Sequence, residues 1–521
     1  MEVSQLDLLY DRIGSETDVI QNEPEESQIQ KFYEDKTIFI TGATGFMGKC
    51  LVEKLLRSCP NVRHVYILIR EKKNVPVEKR MREYFQNKIF NLLRKQNPNF
   101  ERKVTAMKGQ VDLEKCGLSE VDLSILKREI NIIFHGAANV MFNAKIRTSL
   151  QVNVLGVKNM LEMASEFHRL EAFIHLSTAY SHCCKLKCIE EKFYEPPGDL
   201  NAVQKLIEID NERNLDENSV LEFIDGHPNI YTYAKAIAED LVRQHSRTAK
   251  YACGIYRPSM VVSTMREPQA GWTDNLNGPV LLFLAAGLGV GHAVWHLFRP
   301  VDYVPCDLAI NILIAMVPNL IQKRNWSLEK DKAVIYNYGS STVNPVLLYD
   351  MYNERKNTPA YDRSKFAVFM NFVIYTRYKW LFYILNILFH FIPACLGDAF
   401  LFLAGKKRRL LKFYRILDKH IDKANYFLNG DWRIHIGNSL QVISELNSRD
   451  RELFFCDIRA INWVEWTIYM WRGMKLFILK ESLSSRAGEY RYNLLWKVYY
   501  GLIATVTMLF IYFFGLYVGL L

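Results

Sequence analysis

The chain lacks the marks of a secreted, metal-binding or nucleic-acid-binding protein. Its ten cysteines follow no pairing rhythm and its first 35 residues contain no long apolar run, so we expect neither a disulfide framework nor a secretory signal. The densest cysteine group, Cys183, Cys184 and Cys188, has no second pair at zinc-finger spacing, and no metal site is predicted. Lysine and arginine are scattered and the net charge is only +10, which argues against a nucleic-acid-binding surface.

Apolar residues, in contrast, are abundant. Hydrophobic residues make up 49% of the chain and aromatic residues 13%, which is at the apolar end for a soluble protein and is compatible with a membrane partner. The 521 residues suffice for more than one domain. Residues 1–35 are acidic and polar, and we predict that they form a flexible tail.

A glycine-rich stretch near the N-terminus predicts a nucleotide-binding turn. Residues 37–40 are β-branched or aromatic, as in a buried strand, and Gly42, Gly45 and Gly48 follow at once. Apolar residues recur at helical spacing from Phe46, so the N-terminus of a helix faces the turn, where a phosphate group fits. We expect a tight turn at Gly42, close approach of a pyrophosphate at Gly45, and contact between helix and sheet at Gly48. The alternative is an ordinary glycine-rich connection.

A second predicted strand, residues 64–70, ends in a basic cluster that includes Lys72 and Lys73. In a dinucleotide-binding fold this strand end meets the adenosine ribose, where a carboxylate selects a free 2′-hydroxyl and an arginine accommodates a 2′-phosphate. Arg70 stands where that residue belongs, so NADPH is favoured over NADH. The alternative is a solvated strand end, which the adjacent Glu71 keeps open.

Strands and helices alternate in the following residues, which predicts a doubly wound parallel sheet. The predicted helices are 77–96 and 148–168, and the predicted strands are 103–108, 130–138 and 172–176. A loop with Asp112 follows the third strand and is expected to border the adenine. The small residues Gly136 and Ala137 follow the fourth strand, where a cofactor can lie against the backbone, whereas His135 is interpreted as structural. The second helix contains Asn153.

Two polar patterns predict the catalytic residues. The fifth strand ends in Ser177 and Thr178, and ligands of such sheets bind beyond the carboxyl ends of the strands. Tyr231 and Lys235 lie one helical turn apart, so both face the same side of a helix. The ammonium group is expected to lower the pKa of the Tyr231 phenol from about 10, making it a proton donor or acceptor near neutrality. A hydroxyl from Thr178 or Ser177 can then bind the oxygen on which charge develops.

The spacing of this pair is not unusual by itself. The pattern Tyr-x-x-x-Lys also occurs at Tyr84/Lys88, Tyr352/Lys356, Tyr361/Lys365 and Tyr375/Lys379. Only the pair at 231 and 235 follows a glycine turn and a Ser-Thr strand end in the expected order, and the assignment depends on that conjunction.

Taken in chain order, these motifs resemble those of the extended short-chain dehydrogenase/reductases, and more narrowly of the fatty acyl-CoA reductases that make alcohols. The resemblance extends from about residue 36 to residue 521. The motifs that carry it are residues 41–48, 68–70, 135–138, 177–180, 231–235, 256–259, 271–279 and 301–307, then 390–394, 398, 427, 432, 455–459, 463, 472–473 and 479–481. Residues 262–264, Leu428 and Ile434 depart from the family pattern, and these departures concern chain-length preference more than the reaction.

The resemblance implies a Rossmann-type α/β fold and NADPH-dependent reduction of a long-chain fatty acyl-CoA to a fatty alcohol and CoA, through a hemithioacetal and an aldehyde. In this scheme Tyr231 protonates the carbonyl oxygen, Lys235 lowers the pKa of Tyr231 and binds the nicotinamide ribose, and Thr178 or Ser177 stabilises the oxyanion. The expected cofactor contacts are Thr41, Gly42, Gly45, Phe46, Gly48, Arg70, Asp112, Gly136, Ala137, Asn153, Tyr231, Lys235 and Pro258. Cys183 and Cys184 are interpreted as structural rather than as covalent acyl carriers.

Two apolar stretches predict contact with a lipid bilayer. Residues 501–521 carry no charge and, as a helix, span about 30 Å, the thickness of the hydrocarbon core, with a buried helix as the alternative. Residues 380–404 are interrupted by His390, Pro393 and Asp398 and followed by a basic run, which favours a helix pair that enters one leaflet or lines an acyl tunnel. The chain does not end in a Ser-Lys-Leu peroxisomal address.

The expected organisation is a flexible tail (1–35), an NADPH-binding domain with the catalytic residues (36–270), a substrate-binding part (271–350), a helical C-terminal domain (351–490) and a transmembrane helix (497–521). The catalytic domain is expected to face the cytosol from the endoplasmic reticulum, a peroxisome or a lipid droplet, and a homodimer is a further expectation. A membrane-attached steroid or sugar-nucleotide dehydrogenase and a non-catalytic cofactor-binding scaffold remain alternatives.

Overall fold

The computed structural model of the chain describes residues 25–71, 75–141, 145–276, 278–326, 331–354 and 362–518. Residues 1–24 of the predicted tail, Lys72 and Lys73 of the predicted basic cluster, and residues 519–521 of the predicted transmembrane helix lie outside these ranges.

A seven-stranded parallel sheet forms the centre of the molecule, as predicted. The strands of the described residues are β1 Thr37–Thr41, β2 His64–Ile69, β3 Val104–Lys108, β4 Ile132–His135, β5 Ala172–Leu176, β6 Cys188–Ile189, β7 Ala252–Pro258, β8 Met260–Val262, β9 Ala293–Trp295, β10 Pro300–Val301, β11 Tyr303–Pro305, β12 Val334–Tyr338, β13 Val346–Leu347, β14 Ile374–Thr376 and β15 Arg433–Ile434. The order in the large sheet is β12-β7-β5-β4-β1-β2-β3, and every pair in it is parallel. The direction of winding reverses at β1, which opens a crevice beyond the ends of β1 and β4.

Helices cover both faces of this sheet. The α-helices of the described residues are α1 Gln28–Tyr33, α2 Phe46–Ser58, α3 Val77–Phe85, α4 Asn91–Gln96, α5 Glu120–Glu129, α6 Ile146–Leu150, α7 Gly156–Ala164, α8 Leu200–Arg213, α9 Glu217–Leu221, α10 Ile230–Ser246, α11 Pro279–Gly287, α12 Cys306–Trp326, α13 Leu348–Glu354, α14 Lys379–Asn386, α15 Ile392–Leu403, α16 Leu410–Leu428, α17 Gly437–Glu445, α18 Ser448–Leu453, α19 Trp463–Gly473 and α20 Arg486–Val518. Short 3-10 turns occur at Lys88–Phe90, Phe100–Lys103, Glu114–Gly117 and Ile458–Ala460, and π-helical turns at Gln151–Leu155, Ile387–Phe391 and Met474–Ile478.

Alternate side chains of each strand enter opposite hydrophobic layers. Ile38 and Ile40 of β1 pack with α2 and α12 on one face, whereas Phe39 packs with α5 and α7 on the other. Because both faces are covered, the central strands consist mostly of apolar residues, as the sequence pattern indicated.

Two predicted helices are interrupted. The helix predicted over 77–96 is divided into α3, a 3-10 turn and α4, because the Asn87 side chain accepts a hydrogen bond from the Ile89 amide and starts a new turn. The helix predicted over 148–168 runs as α6, a π-helical turn and α7, from Ile146 to Ala164. The π-helical turn contains Asn153.

The N-terminal segment differs from the predicted loose tail in its last part. Residues Gln28–Tyr33 form α1, and the fully buried Tyr33 donates a hydrogen bond to Ile314 O at 3.0 Å. The domain boundary at residue 270 stays a prediction, although β12 comes from beyond it and completes the large sheet.

Three helical segments of the described residues are long and apolar enough to cross a membrane. They are Cys306–Arg324, Lys379–Leu403 and Arg486–Val518, with 78%, 22% and 6% of their most apolar windows buried in the protein. The first belongs to the core beneath the sheet. The third contains the predicted apolar stretch from residue 501 onward and starts earlier, at Arg486.

Candidate functional site

The turn after β1 depends on contacts that only glycine allows. Gly42 has a φ of +76°, and a Cβ there would lie 2.6 Å from the carbonyl carbon of Gly136. A Cβ on Gly48 would lie 2.3 Å from Gly42 O, so the first turn of α2 contacts the glycine turn directly at this residue. At Gly45, Gly42 O at 3.1 Å is the one atom of the described residues within 4 Å, which leaves a side open for a pyrophosphate. Phe46, the next residue, stacks on Trp272.

The loop after β4 lies against this turn. The amides of Gly136 and Ala137 donate to Thr41 O and Thr41 Oγ1, each at 3.1 Å. Asn153 holds the loop from behind, because its Oδ1 accepts from the Asn139 amide at 2.7 Å and its Nδ2 donates to Asn139 O at 3.0 Å. The structure therefore brings Thr41, Gly136 and Ala137 to the crevice. The side chain of Asn153 holds the loop that follows them in place.

Helix α10 brings Tyr231 and Lys235 to the same sheet edge. The Asn229 side chain accepts a hydrogen bond from the Thr232 amide at 3.0 Å and caps the helix. The buried Lys235 donates from Nζ to the carbonyl of Leu176, the last residue of β5, at 2.6 Å. Tyr231 lies one helical turn before Lys235, so the pair stands beside the carboxyl end of β5.

The predicted lowering of the Tyr231 pKa is wrong in this structure. Burial raises the pKa of the phenol above 10, and the charge of Glu239 raises it further. Burial also lowers the pKa of Lys235 from 10.5 to about 8, although Glu239 opposes that change. The error has a physical cause: both groups are withdrawn from water, and the ammonium is directed at Leu176 O. Tyr231 is therefore held as a phenol.

The two hydroxyl residues after β5 have different environments. Ser177 Oγ donates to Glu239 Oε1 at 2.5 Å, which commits this hydroxyl to a buried carboxylate. Thr178 Oγ1 instead accepts a hydrogen bond from the Tyr180 amide at 3.3 Å, so its own hydrogen can be donated to a ligand. Of the two predicted candidates, Thr178 has the geometry of a free donor.

Glu239, which the sequence analysis did not single out, is the centre of a buried ion cluster. Arg257 binds both of its carboxylate oxygens, at 2.9 and 2.6 Å, and His182 Nε2 lies 3.4 Å from Oε2. Burial would raise the pKa of Glu239, but Arg257 and His182 outweigh burial and hold that pKa well below its usual range. The signal was present in the sequence, because Tyr231, Lys235 and Glu239 repeat at a four-residue spacing along one helix face.

The end of β2 carries a second arginine that sequence reasoning missed. Arg80 of α3 donates a hydrogen bond to the carbonyl oxygen of Arg70. Burial and the positive charge of Arg70 both lower the pKa of Arg80, so the two guanidinium groups are neighbours. Glu71, the residue that kept the alternative open, is paired with Lys108 at 2.8 Å.

The loop after β3 contains Asp112, one of whose carboxylate oxygens is a hydrogen-bond acceptor without a donor among the described residues. Gln110 Nε2 donates to Asp112 Oδ2 at 2.8 Å, whereas Asp112 Oδ1 is buried and has no hydrogen-bond partner among the described residues. A buried carboxylate oxygen without a partner is costly, and an amino group such as that of adenine would satisfy it.

His135 lies under the crevice in a neutral form. Its Nδ1 is 2.9 Å from Thr41 Oγ1, and its ring stacks on His175 of β5. Burial and the charge of Lys235 lower the pKa of His135 to about 3. These contacts agree with the structural interpretation of this residue.

Residues of the motifs 256–259 and 301–307 form hydrogen bonds that position the loops around the crevice. Pro258, at the end of β7, accepts a hydrogen bond from the Ala179 amide at 2.9 Å. Ser259 Oγ donates to Asp302 Oδ1 at 2.5 Å, and Asp302 Oδ2 accepts from the Ser341 amide at 2.9 Å. Residues far apart in sequence are thereby fixed beside the predicted catalytic strand end.

Aromatic residues of the C-terminal region cover the turn after β5. Tyr180 meets Phe427 and Trp432 edge-on, with ring centroids 5.1 and 5.6 Å apart. Cys183 is buried in the same cluster, and burial raises its pKa to about 12. A thiol in this state is a poor nucleophile, in keeping with a structural role. No metal-binding group of three or more His, Cys, Asp or Glu side chains occurs in the described part of the chain.

These features fit a dinucleotide laid across the carboxyl edge of the sheet. The open side of Gly45 and the N-terminus of α2 suit a pyrophosphate, and the orphan oxygen of Asp112 suits adenine. The opposite end of such a molecule would reach Thr178, Tyr231 and Lys235.

Comparison with known proteins assigns the chain to a family. Two sequence models described as Male sterility protein, the first of them an NAD-binding domain, match residues 40–313 and 389–481. The chain is 34% identical over 488 residues to Fatty acyl-CoA reductase 1 of Homo sapiens, covering 91% of this chain and 90% of that protein. It is 35% identical over 466 residues to Fatty acyl-CoA reductase 2 of Mus musculus, covering 88% and 87%.

Among solved structures, the terminal R domain from the myxalamid PKS-NRPS biosynthetic pathway has a similar fold. Its TM-score is 0.55 at 19% identity, over 85% of this chain and 91% of that one. The Rossmann-type fold and the matching NAD-binding domain indicate a nicotinamide cofactor. Because relatives such as Fatty acyl-CoA reductase 1 of Homo sapiens align with 91% of this chain at 34% identity, the chain belongs to the fatty acyl-CoA reductases of the extended short-chain dehydrogenase/reductase superfamily.

Proposed function

We propose that the protein reduces long-chain fatty acyl-CoA to fatty alcohol and CoA with NADPH as reductant. Two kinds of observation support the proposal. The relatives that share most of the chain bear the name fatty acyl-CoA reductase, and the site has a half-buried phenol, a buried lysine and a buried threonine hydroxyl at one strand end.

The observation that carries the proposal is the hydrogen bond from Lys235 Nζ to Leu176 O, at 2.6 Å. It ties α10 to the end of β5, and so keeps Tyr231 of the helix and Thr178 of the strand end beside the same crevice. A carbonyl group bound there would meet one proton donor and one hydrogen-bond donor.

Each residue then has a defined task. The bound nicotinamide supplies a hydride to the thioester carbon. Thr178 donates a hydrogen bond to the carbonyl oxygen as negative charge develops, and Tyr231 transfers its proton to that oxygen, giving a hemithioacetal. The C–S bond then breaks, CoA leaves as the thiol, and the aldehyde remains. A second NADPH, bound in place of the oxidised cofactor, would supply the second hydride, and Tyr231, reprotonated from solvent, donates the second proton that converts the aldehyde to the alcohol.

The raised pKa of Tyr231 suits this direction of reaction. A phenol that is fully protonated at neutral pH is a competent acid for an oxyanion, which is far more basic. Ser177 is bound to Glu239, and we therefore assign the oxyanion contact to Thr178 alone.

The preference for NADPH is supported by the end of β2. Arg70 and Arg80 together present two guanidinium groups at this strand end, and the carboxylate of Glu71 is paired with Lys108.

Membrane attachment through the C-terminal helix completes the proposal. Only 6% of the most apolar part of the helix Arg486–Val518 is buried in the protein. An exposed apolar surface of this size needs a partner such as a bilayer. Trp496, Tyr499 and Tyr500 precede the uncharged part, as is typical of a helix that enters lipid from the water interface. The folded part would then face the cytosol.

A phenol replacement tests the reaction. Tyr231→Phe removes the proton donor, and we expect the rate of acyl-CoA-dependent NADPH oxidation to fall about 10²- to 10⁴-fold while NADPH still binds. The matched control is Tyr233→Phe. Tyr233 is buried, lies two residues after Tyr231 in α10, and its replacement should keep most of the activity. Products are separated as aldehyde and alcohol. Equal turnover by the Tyr231 and Tyr233 variants would refute the assignment.

A second experiment tests the reductant. Arg70→Ala should raise KM for NADPH about tenfold or more and leave KM for NADH nearly unchanged, because only NADPH carries the 2′-phosphate. The exposed Arg82→Ala, on the same helix as Arg80, serves as the control. An equal rise of KM for both nucleotides would count against the phosphate contact.

A further inference from the structure

The helical segment Lys379–Leu403 presents an exposed apolar face. Leu396, Phe400 and Leu403 are 69%, 71% and 84% exposed. Other exposed apolar residues of the segment are Trp380, Tyr383, Ile384, Ile387, Leu388, Ile392 and Phe402. A contiguous apolar surface of this kind on a folded protein indicates a binding surface.

The polar residues that interrupt the segment face inward. Phe382, Asn386, His390, Ala394 and Asp398 recur at a spacing of four, and all are at most 7% exposed. In an ideal α-helix, with 3.6 residues per turn, residues spaced by four drift gradually around the helix axis. The wider π-helical turn Ile387–Phe391 offsets this drift, so the five residues stay on one side of the segment. The charged and polar groups are thus removed from the outer surface.

Each inward polar group has a specific partner. Asn386 Nδ2 donates to Asp418 Oδ1 at 3.3 Å, and His390 Nε2 accepts from the His292 amide at 3.0 Å. His390 also stacks on Tyr414 of α16, with centroids 5.0 Å apart. The segment is therefore fastened to the body of the protein along its inner stripe.

Asp398 folds the segment back as a hairpin. Its carboxylate accepts hydrogen bonds from the amides of Arg409, Leu410 and Leu411, at 2.9 to 3.0 Å, at the start of α16. A Cβ on Gly397 would lie 2.5 Å from Leu410 Cδ1, so the two helices are in close contact there. A helix that crossed the bilayer would have to give up these three hydrogen bonds.

The rim of the apolar face is basic. Lys406, Lys407, Arg408 and Arg409 form the exposed turn between α15 and α16, and Lys412, Arg415 and Lys419 of α16 are exposed as well. In the described range 379–405 the charged residues are Lys379 at the start and the inward Asp398. An apolar centre with a cationic rim matches the boundary between acyl chains and anionic headgroups.

The hairpin is continuous with the C-terminal helix. Phe372 contacts Phe389 of the hairpin, with centroids 5.4 Å apart, and Tyr499 of α20, with centroids 6.4 Å apart. Tyr499 stands just before the uncharged stretch of α20. A bilayer entered by that stretch would therefore meet the hairpin as well.

We propose that the hairpin of Lys379–Leu403 and α16 inserts into one leaflet without crossing it, and binds anionic lipid headgroups through its basic turn. This contact is additional to the C-terminal helix and does not depend on the reductase chemistry. A second copy of the chain is the other occupant of an apolar face, but the basic rim and the adjacent anchor favour lipid.

Cys395 supplies a test on the full chain. It is exposed on α15, and Cys184→Ser with Cys188→Ser leaves it as the one cysteine of the ten that is not buried. An environment-sensitive fluorophore on Cys395, with the protein reconstituted in vesicles of phosphatidylcholine and phosphatidylserine, should emit at shorter wavelength than the same fluorophore on the matched probe position in the same vesicles. It should be quenched by a nitroxide on the lipid chain and shielded from aqueous iodide. The matched probe is Val121→Cys, on the exposed face of α5, with Cys395→Ser.

Three outcomes would overturn the proposal. The first is a Cys395 probe that iodide quenches as fully as the Val121 probe. The second is a shielded probe in the labelled protein together with oxidant-induced disulfides through Cys395 between copies of the unlabelled protein, at low protein density in the vesicles, which would identify a second copy as the occupant. The third is nitroxide quenching that is strongest near the far leaflet, which would indicate a spanning segment. Acyl-CoA turnover is measured separately, so its loss cannot imitate any of these results.

The headgroup contact has its own readout. Replacing Lys406, Lys407 and Arg408 with glutamine should reduce the preference of the hairpin for nitroxide-labelled phosphatidylserine over phosphatidylcholine. Each basic residue near an anionic surface contributes about fivefold. The same three-residue neutralisation at the exposed Lys79, Arg82 and Lys95 is the control. An unchanged lipid preference would reject the role of the basic turn.

Discussion

At the scale of single residues, Lys235 links the buried environment of the site to its pH dependence. Burial lowers the pKa of this lysine to about 8, so the side chain is charged below pH 8 and neutral above it. If the charged form binds the ribose and supports Tyr231, the rate of reduction falls as pH rises through about 8.

The prediction is checked by the pH profile of kcat/KM in the wild type and in Lys235→Arg. Arginine stays charged throughout this range, so the basic limb of the profile should move to higher pH in the activity that remains. A limb near pH 8 in both proteins would mean that another group is responsible.

The proposed catalytic residues could be predicted from the sequence, but their protonation could not. Tyr231, Lys235 and Thr178 were identified from order and spacing, and the structure brings them to one strand end. The direction of the Tyr231 pKa shift was missed because it depends on burial, which a local motif does not reveal, and on Glu239, whose place on the same helix face was overlooked. Arg80 was missed for a similar reason, since it approaches Arg70 from the following helix.

At the scale of elements, two substitutions in the glycine turn should affect different properties, one the folding of the turn and the other the binding of the nucleotide. Gly48→Ala would bring a Cβ to 2.3 Å from Gly42 O, so we expect loss of the folded turn and a lower melting temperature. Gly45→Ala meets one atom, at 3.1 Å, so the protein should melt normally but bind NADPH about tenfold or more weakly. Melting curves and nucleotide titrations give both quantities.

Gly291→Ala is the control for this pair, because its nearest atom would be at an ordinary contact distance of 3.5 Å. Equal effects of the Gly45 and Gly48 substitutions on melting would show that the open side of Gly45 has no special role.

The elements themselves differ in how much the sequence could reveal. The strand Ala172–Leu176 and the strand before the glycine turn were predicted at their observed positions, because continuous apolar runs mark strands covered on both faces. The break at Asn87 and the helix Gln28–Tyr33 were not predicted. The first depends on one side chain that caps a new turn, and the second on burial against α12, which is distant in the sequence.

At the scale of the whole molecule, the C-terminal helix can be tested as a membrane anchor. Leu509→Arg with Phe513→Arg places two charges in the middle of the exposed apolar stretch. The cost of about 5 to 7 kcal/mol in the bilayer should shift the protein from the membrane pellet to the supernatant after carbonate washing. The control places arginines at the exposed Val121 and Leu221 of the soluble part. Retention of the double variant in the pellet would exclude this helix as the principal anchor.

The two halves of the molecule depend on one another at the active site. Tyr180, two residues after Thr178, is covered by Phe427 and Trp432 from the region that the second family model matches. The expected domain boundaries treat the halves as separate units, because contacts between residues this far apart in the chain leave no local pattern in the sequence.

The sheet order has a consequence for synthesis on the ribosome. The edge of β7 is completed only by β12, whose residues Val334–Tyr338 are translated long after β7 itself. During that interval the nascent protein exposes unpaired backbone groups along an apolar strand, the surface from which aggregation starts. Elongation speed and holding chaperones should therefore govern the soluble yield of this enzyme more than the strength of its finished core.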